Sequence, residues 1–147
     1  MIDNRRKERK IRKRKMLLML LHSGGTSRAE YLRKSNLFGL FGQDNYWFPR
    51  ILPAEPSMIY LHNNVNIATD VYFCDHDVIH HMFNNIKEVV DTYGTFSYAR
   101  RRIELFDNVF IGAHSIIMGG VKIGLFFAST FCIKLQNIFV GCCKTVL

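Results

Sequence analysis

The feature that most restricts the fold is an aliphatic or aromatic residue that recurs at every sixth position in two stretches of the chain. The residues of this series are Leu61, Ile67, Phe73, Leu105, Ile111, Ile117 and Ile123. Four places after most of them stands a small or β-branched residue, in the series Val65, Val71, Val109, Ser115 and Val121. A period of six fits neither the 3.6-residue period of an α-helix nor the plain alternation of an open sheet.

This period is typical of a parallel β-helix, in which a short strand and a tight turn repeat and the same inward position recurs on each flat side. Three such sides make one coil, so residues 105–122 are predicted to form about one full coil. The alternative is a pair of ordinary β-meanders whose apolar residues coincide at six by chance. Matches in two separate stretches disfavour that alternative.

Residues 76–104 interrupt the period, and we expect them to form a long irregular loop that projects from one corner of the coil. Loops of this kind often carry function. The start of the loop, "CDHDVIHHMFNN" (74–85), contains three histidines and two aspartates. By themselves these residues fit a metal site, a catalytic base with its support, or a polar loop.

The strong positive charge belongs to one end of the chain. Residues 1–15 contain nine basic and two acidic side chains (9 − 2 = +7), whereas the other 132 residues contain 11 basic and 10 acidic ones (11 − 10 = +1). We interpret residues 1–23 as a basic N-terminal extension, solvated and frayed, although such a run can also attract polyphosphates or an anionic membrane surface.

The apolar segment "MLLMLL" (16–21) is too short for a signal peptide or a membrane span, so a cytoplasmic location is expected. The four cysteines, Cys74, Cys132, Cys142 and Cys143, form no C-x-x-C pair, so reduced thiols are expected and a cysteine-based metal site is not.

Two further segments have local signals. Residues 27–36 are predicted to form a short helix, because Ser27 and Glu30 have the spacing of a capping box. Residues 42–58 contain three prolines and are predicted to form turns and extended chain.

The segment "RIELFDNVFIGAHSIIMGGVKIG" resembles the hexapeptide-repeat acyltransferases, and "HNNVNIATDVYFCDHDVIHHMFNN" resembles the branch with galactoside, maltose and xenobiotic O-acetyltransferases. The resemblance covers roughly 24–124, which we take as the domain, with 76–104 as its loop. It implies a mainly β fold, a left-handed parallel β-helix with a short N-terminal helix. It also implies transfer of an acetyl group from acetyl-CoA to a hydroxyl of a sugar or polysaccharide, with no metal.

In that family a histidine at the start of the protruding loop is the general base, and His76 occupies the matching position. The resemblance implies direct proton transfer through imidazole, backbone N–H groups that receive the charge of the carbonyl oxygen, and no acyl-enzyme. It also implies a homotrimer with active sites between subunits, and a CoA arm bordered by Phe110 and Ala113.

Other polar residues have weaker or undecided roles. Either Asp75 or Asp77 is expected to orient the His76 ring. His80 and His81 are expected to be polar loop residues, because consecutive side chains point apart on most backbones. His114 is expected at a solvated corner, and the Arg100–Arg102 run fits either CoA phosphates or an exposed loop face.

After Gly124 the period fails, since Ser129 stands where an aliphatic residue is due and the apolar, cysteine-rich 125–147 lacks the family pattern. We therefore expect an atypical C-terminal tail, from a frameshift, a truncation or natural divergence, that weakens CoA binding. The rival hypotheses are an inactive β-helix remnant that only oligomerises or binds a partner, and a nucleic-acid binder, which the near-neutral body disfavours.

Overall fold

The computed structural model describes residues 2–124 and 127–129, with side chains described from residue 6 to residue 124. The helices are α1 (Ile2–Met19), α2 (Gly25–Ser35), a 3₁₀ helix (Pro56–Met58), α3 (Ile79–Asn84) and α4 (Lys87–Tyr93). The strands are β1 (Leu40–Phe41), β2 (Tyr46–Trp47), β3 (Ile59–Leu61), β4 (Val65–Ile67), β5 (Tyr72–Cys74), β6 (Ile103–Leu105), β7 (Val109–Ile111), β8 (Ile116–Met118), β9 (Lys122–Ile123) and β10 (Phe127–Ser129).

The strands form three parallel sheets that the chain visits in turn. Their orders are β1-β3-β6-β9, β2-β4-β7-β10 and β5-β8. Glu104 of β6 pairs with Lys122 of β9, so one coil takes 122 − 104 = 18 residues, as the six-residue period predicts for three sides. Leu61 pairs with Leu105, a separation of 105 − 61 = 44 residues, because the long loop is inserted in that coil. The predicted three-sided coil of parallel strands is therefore confirmed.

The core is a column of inward-facing side chains inside this coil. Every member of the six-residue series is at most 3% exposed, and every member of the second series is at most 5% exposed. β3 and β4 each bury their first and third residues, and the residue between them is less buried. The sequence period is thus a period of burial. The removal of this apolar surface from water is the main force that stabilises the coil.

The corners of the coil use residues with left-handed backbone. Asp44, Asn64 and Asn108 have φ between 52° and 60°, and Asn64 donates a hydrogen bond to Asn108 over 2.8 Å. Short polar side chains tolerate this region better than most residues. At another corner Asp70 (φ 55°) precedes His114 (φ 58°) by one coil position. The His114 side chain is 75% exposed, which agrees with the predicted solvated corner.

The prediction of a frayed N-terminal extension is wrong, because the basic run forms the helix α1. Arg and Lys have high helix propensity, and the last turns dock onto the body through Met19, which is fully buried. Arg12 donates to the carbonyl oxygens of Leu52 and Pro53 over 3.1 and 3.0 Å. In the described part of the chain, none of the helices has both the length and the apolar character needed to cross a bilayer.

The helix predicted at 27–36 is present as α2, but its predicted capping box is wrong. The helix begins earlier, with Gly24 at the N-cap and no side-chain cap. Ser27 lies inside the helix and its hydroxyl is hydrogen-bonded to His22 Nδ1 at 2.8 Å, whereas Glu30 is paired with Arg33 and Lys34.

The long loop is also more ordered than predicted, since it contains α3 and α4. Two hydrogen bonds join Asn84 to the backbone of Phe96, and the rings of Phe83 and Phe96 lie 5.1 Å apart. At the other end of the chain, β10 pairs in parallel with β7 and so continues the second sheet past Gly124. The rest of the predicted atypical tail, including Cys132, Cys142 and Cys143, lies outside the described residues.

The buried carboxylate of Glu104 predicts a pH dependence of stability. Glu104 lies beside His62 (3.2 Å), Arg102 (2.7 Å) and Lys122 (3.6 Å). Burial raises the pKa of Glu104, but the hydrogen bond with His62 and the neighbouring cationic charges outweigh it, so the pKa lies below 4.5. The unfolded chain then binds a proton before the folded one does. We expect this contribution to be complete above about pH 4.5 and to be lost as the pH falls through the folded pKa.

Denaturant unfolding of the wild type and of Glu104→Gln between neutral and acidic pH measures this contribution. The variant should lose less stability on acidification than the wild type. Glu88→Gln, at an exposed position of α4, is the matched control. Equal slopes for the wild type and Glu104→Gln would contradict the assignment.

Candidate active site

A cavity of about 750 Å³ lies between α1, the chain that precedes β3, and the start and end of the long loop. The loop contributes His76, Val78, His80, His81 and Tyr98, and α1 contributes Glu8, Arg9, Ile11 and Arg12. The other lining residues are Leu37, Ala54, Glu55, Pro56 and Ser57. The volume lies within the range of small-molecule sites, which is roughly 300–1,000 Å³.

His76 stands where the chain leaves β5 and enters the loop, as predicted. Its Nδ1 lies 3.3 Å from Oδ2 of Asp75, a residue that is only 1% exposed, and the His76 side chain is itself 25% exposed. A carboxylate at Nδ1 favours the tautomer with the proton on that nitrogen. Nε2 is then left with a lone pair, and no hydrogen bond to it is recorded among the described residues.

The choice between Asp75 and Asp77 is decided by the backbone around β5. The Asp75 carbonyl oxygen accepts a hydrogen bond from Arg101 N–H over 2.9 Å, which fixes the residue against the returning end of the loop. Asp77 instead accepts the backbone N–H of Ile79 at the start of α3, over 3.1 Å. Asp75 is therefore the partner of His76, and its second oxygen, Oδ1, is buried without a partner in the structure.

A network centred on Glu55 holds the far end of the loop beside His76. Arg100 donates to Glu55 over 2.6 Å and the Tyr98 hydroxyl donates to it over 3.3 Å. The Tyr98 ring lies 5.1 Å from the His76 ring. Burial, and then the charge of Glu55, raise the pKa of Tyr98, so the phenol stays protonated and acts as a donor. Glu55 and Tyr98 were not predicted from the sequence, because no motif or spacing connects them to His76.

His80 and His81 line the same cavity but are arranged differently from His76. The His80 ring packs edge-on against Tyr98 at 5.3 Å, and its Nδ1 is buried without a partner. His81 is exposed and its Nδ1 lies 3.4 Å from the Asn85 amide. Neither histidine has a carboxylate partner comparable with Asp75 in the described part of the chain.

Within the described residues, Glu55, Asp75 and His76 form a group whose potential metal-ligand atoms lie within 4.8 Å of one another. Glu55 is already paired with Arg100, and Asp75 with His76. The alternative of a three-histidine site gains no support, since His80 and His81 do not belong to this group. The prediction of no metal remains a prediction.

The other predicted site residues do not line the cavity. Phe110, on β7, is 39% exposed and Ala113 is exposed in the turn that follows, and neither lines the cavity. Arg102 is paired with Glu104 and its guanidinium lies 3.6 Å from the centre of the Tyr60 ring. With Arg100 on Glu55, two of the three arginines therefore bind carboxylates of this chain, which supports a structural role for them.

Cys74 is a free thiol next to this site. Its Sγ donates to the His76 carbonyl oxygen over 3.3 Å. Burial, and then the charges of Asp75 and Asp77, raise the pKa of the thiol. Because the thiolate is the nucleophilic form, Cys74 is a poor candidate for a nucleophile.

Gly119 leaves the space in which the backbone of Asp75 lies. A Cβ at this position would lie 2.8 Å from the Asp75 carbonyl oxygen and 2.9 Å from the Arg101 Cβ. Gly119→Ala should therefore lower the free energy of unfolding by about 1–3 kcal/mol, the usual cost of overpacking. Urea unfolding followed by circular dichroism measures it. Gly24→Ala is the control, since a Cβ there meets nothing within 4 Å and the variant should lose less than about 1 kcal/mol through poorer capping of α2. An equal loss in the two variants would contradict the packing argument.

Comparisons with known proteins add a distant structural likeness. A scan against protein-family models gives no match, and a search of curated proteins gives none either. Among solved structures, the chain is similar to the hexapeptide-repeat-containing acetyltransferase of Vibrio cholerae. The identity is 16%, the TM-score is 0.46, and the match covers 84% of this chain and 79% of that one.

Proposed function

We propose that the chain is an O-acetyltransferase that moves an acetyl group from acetyl-CoA to a hydroxyl of a sugar or polysaccharide, with His76 as the general base. The observation that carries the proposal is the His76–Asp75 pair at the wall of the cavity. A buried carboxylate holds one ring nitrogen, and the other nitrogen is available to take a proton. The sequence resemblance to hexapeptide-repeat acyltransferases, argued from residues 24–124, points to the same reaction.

In the proposed reaction, His76 carries one proton from the acceptor hydroxyl to the CoA sulfur. Nε2 of His76 removes the proton from the acceptor hydroxyl while the hydroxyl oxygen bonds to the thioester carbonyl carbon. Backbone N–H groups donate hydrogen bonds to the carbonyl oxygen and stabilise the negative charge that develops on it. When the carbon–sulfur bond breaks, the imidazolium returns its proton to the CoA sulfur, so the products are the O-acetyl ester and free CoA thiol. Asp75 lies where its negative charge stabilises the imidazolium.

The lining of the cavity suits a sugar acceptor. Tyr98 places an aromatic ring beside His76, and such a ring can pack against the apolar face of a sugar. Glu55, Ser57 and His80 bring polar groups to the same wall. This mixture of an aromatic surface and a few placed polar groups is typical of small polar ligands.

The finer features of the family belong to the same proposal. They are a left-handed winding of the coil, a homotrimer, a cytoplasmic location, and a CoA arm bordered by Phe110 and Ala113. The exposed ring of Phe110 supports the last feature, because it presents an apolar face on the outside of β7. In a trimer that face would serve a cavity of the neighbouring subunit.

Incubation of the full chain with acetyl-CoA and a panel of sugars and polysaccharides tests the proposal through the release of free CoA thiol. Mass spectrometry should find an acetyl ester on the acceptor. If the product is instead an acetyl amide, the acceptor group is an amine and not a hydroxyl. The absence of thiol release, together with the absence of heat on titration with CoA, would instead support the inactive β-helix remnant.

A further inference from the structure

The outward face of α1 carries two kinds of residue in one line. Lys10, Arg14, Leu17 and Leu21 are separated by four, three and four residues, which places them on one side of a helix that continues into the turn after Met19. The opposite side faces the body of the protein, through the half-buried Arg12 and Met16 and the buried Met19. The line therefore points away from the protein.

The apolar end of this line is unusually exposed. Leu17 and Leu21 are 64% and 80% exposed, and the neighbouring Leu18 and Leu20 are 40% and 41% exposed. Four leucines within five consecutive residues thus present apolar surface to water, whereas Met16 and Met19 of the same segment pack inward. Burial of leucine surface is favourable, so these side chains stabilise contact with an apolar phase.

The basic end supplies the complementary charge. Residues 6–15 contain eight basic side chains and one acidic one, Glu8. Among them Arg6, Lys10, Lys13 and Arg14 are exposed. A nucleic acid would satisfy the charges but offers no apolar layer for the leucines. An anionic bilayer provides both, with phosphates at the surface and hydrocarbon beneath.

We propose that α1 is a peripheral membrane-docking helix, which lies on an anionic lipid surface with Leu17 and Leu21 inserted and Lys10 and Arg14 on the lipid phosphates. This inference is independent of the acetyltransferase proposal, since it rests on the outward side of α1 and uses neither His76 nor any other residue that lines the cavity. The helix also lines the His76 cavity through its other side, so docking brings that cavity to the membrane surface.

Co-sedimentation of the full chain with phosphatidylcholine vesicles, with and without phosphatidylglycerol, tests the proposal. We expect binding to the anionic vesicles that weakens with salt, and little binding to the neutral ones. Lys10→Glu/Arg14→Glu should weaken the binding at least about twenty-fold, since each basic residue near the surface contributes roughly fivefold. Leu17→Gln/Leu21→Gln should weaken it by at least about tenfold, since burial of even one leucine side chain contributes about that factor.

Matched controls separate the docking face from general effects. Ile51→Gln removes an aliphatic side chain that is 72% exposed elsewhere, and Lys87→Glu reverses an exposed charge on α4. Both should bind like the wild type, and unchanged thermal unfolding should show that all variants fold. The proposal is overturned if the chain does not bind the vesicles. It is also overturned if the leucine variant binds them as tightly as the wild type and single-stranded RNA binds equally well. It is also overturned if the leucine variant changes the oligomeric state measured by light scattering.

Discussion

Replacement of His76 by alanine should lower kcat/KM for acetyl transfer by about 10²–10⁴-fold, the usual contribution of a general base. In activation free energy this is about 3–5 kcal/mol. The loss should fall on kcat, because the imidazole acts on the proton in the transition state. The measurement is the rate of CoA thiol release with the acceptor found in the panel above.

Three comparisons make this result specific. His81→Ala, at an exposed histidine of the same cavity, should retain nearly wild-type kcat. Asp75→Asn should lower kcat by an intermediate factor and alter its pH profile, because a neutral amide then replaces the negative charge beside His76 Nδ1. Unfolding of His76→Ala must be measured beside its activity, because the variant removes the partner of the buried Asp75 carboxylate and should lose about 1–3 kcal/mol of stability while remaining folded. Full activity in His76→Ala would show that the base is another group.

Replacement of Trp47 by alanine should cost about 3–5 kcal/mol of folding free energy, the range for deletion of a large buried aromatic ring. Trp47 has no exposed surface and lies 5.3 Å from Phe38 and 5.6 Å from Phe73, ring centre to ring centre. It joins the N-terminal β2 to the third side of the coil, so its loss opens a void between elements that are far apart in the chain. Denaturant unfolding followed by circular dichroism measures the loss.

Trp47→Phe should cost much less than the alanine variant. The indole Nε1 is buried and has no hydrogen-bond partner in the structure, and phenylalanine removes that unpaired donor while it keeps an aromatic ring. Tyr72→Ala is the second control, because Tyr72 is 58% exposed and its loss should cost less than about 1 kcal/mol. A Trp47→Ala protein as stable as the wild type would contradict the central place of Trp47 in the core.

The coil could be predicted because its signal is local and repeated. Each position in the series from Leu61 to Ile123 must be apolar for the same reason, which is burial inside a coil of eighteen residues. The interruption after Phe73 likewise marks where the chain leaves the coil. It does not single out His76, since the residues alone fit a metal site, a catalytic base or a polar loop, and only the family resemblance favours His76 as the base. A repeat of six residues leaves this record in the sequence whatever the rest of the chain does.

The N-terminal helix could not be placed in this way. A run of basic residues is compatible with a frayed tail and with a helix, and the sequence favoured the tail. The contacts of Arg12 with Leu52 and Pro53 join residues about forty positions apart, and these contacts decide that α1 packs on the body and lines the cavity.

The sequence by itself therefore determined the inward column and the place where the chain leaves it, whereas the choice of His76 as the candidate base came from the resemblance to the hexapeptide-repeat acyltransferases. The tertiary structure decided that Asp75 rather than Asp77 supports the imidazole, and that Glu55 and Tyr98 lie beside it. The physical reason is the sequence separation of the residues that each interaction joins. Burial in a repeat is imposed at every sixth residue, whereas Glu55 meets Arg100 over a separation of 45 residues, and such a contact exists only after the coil has closed.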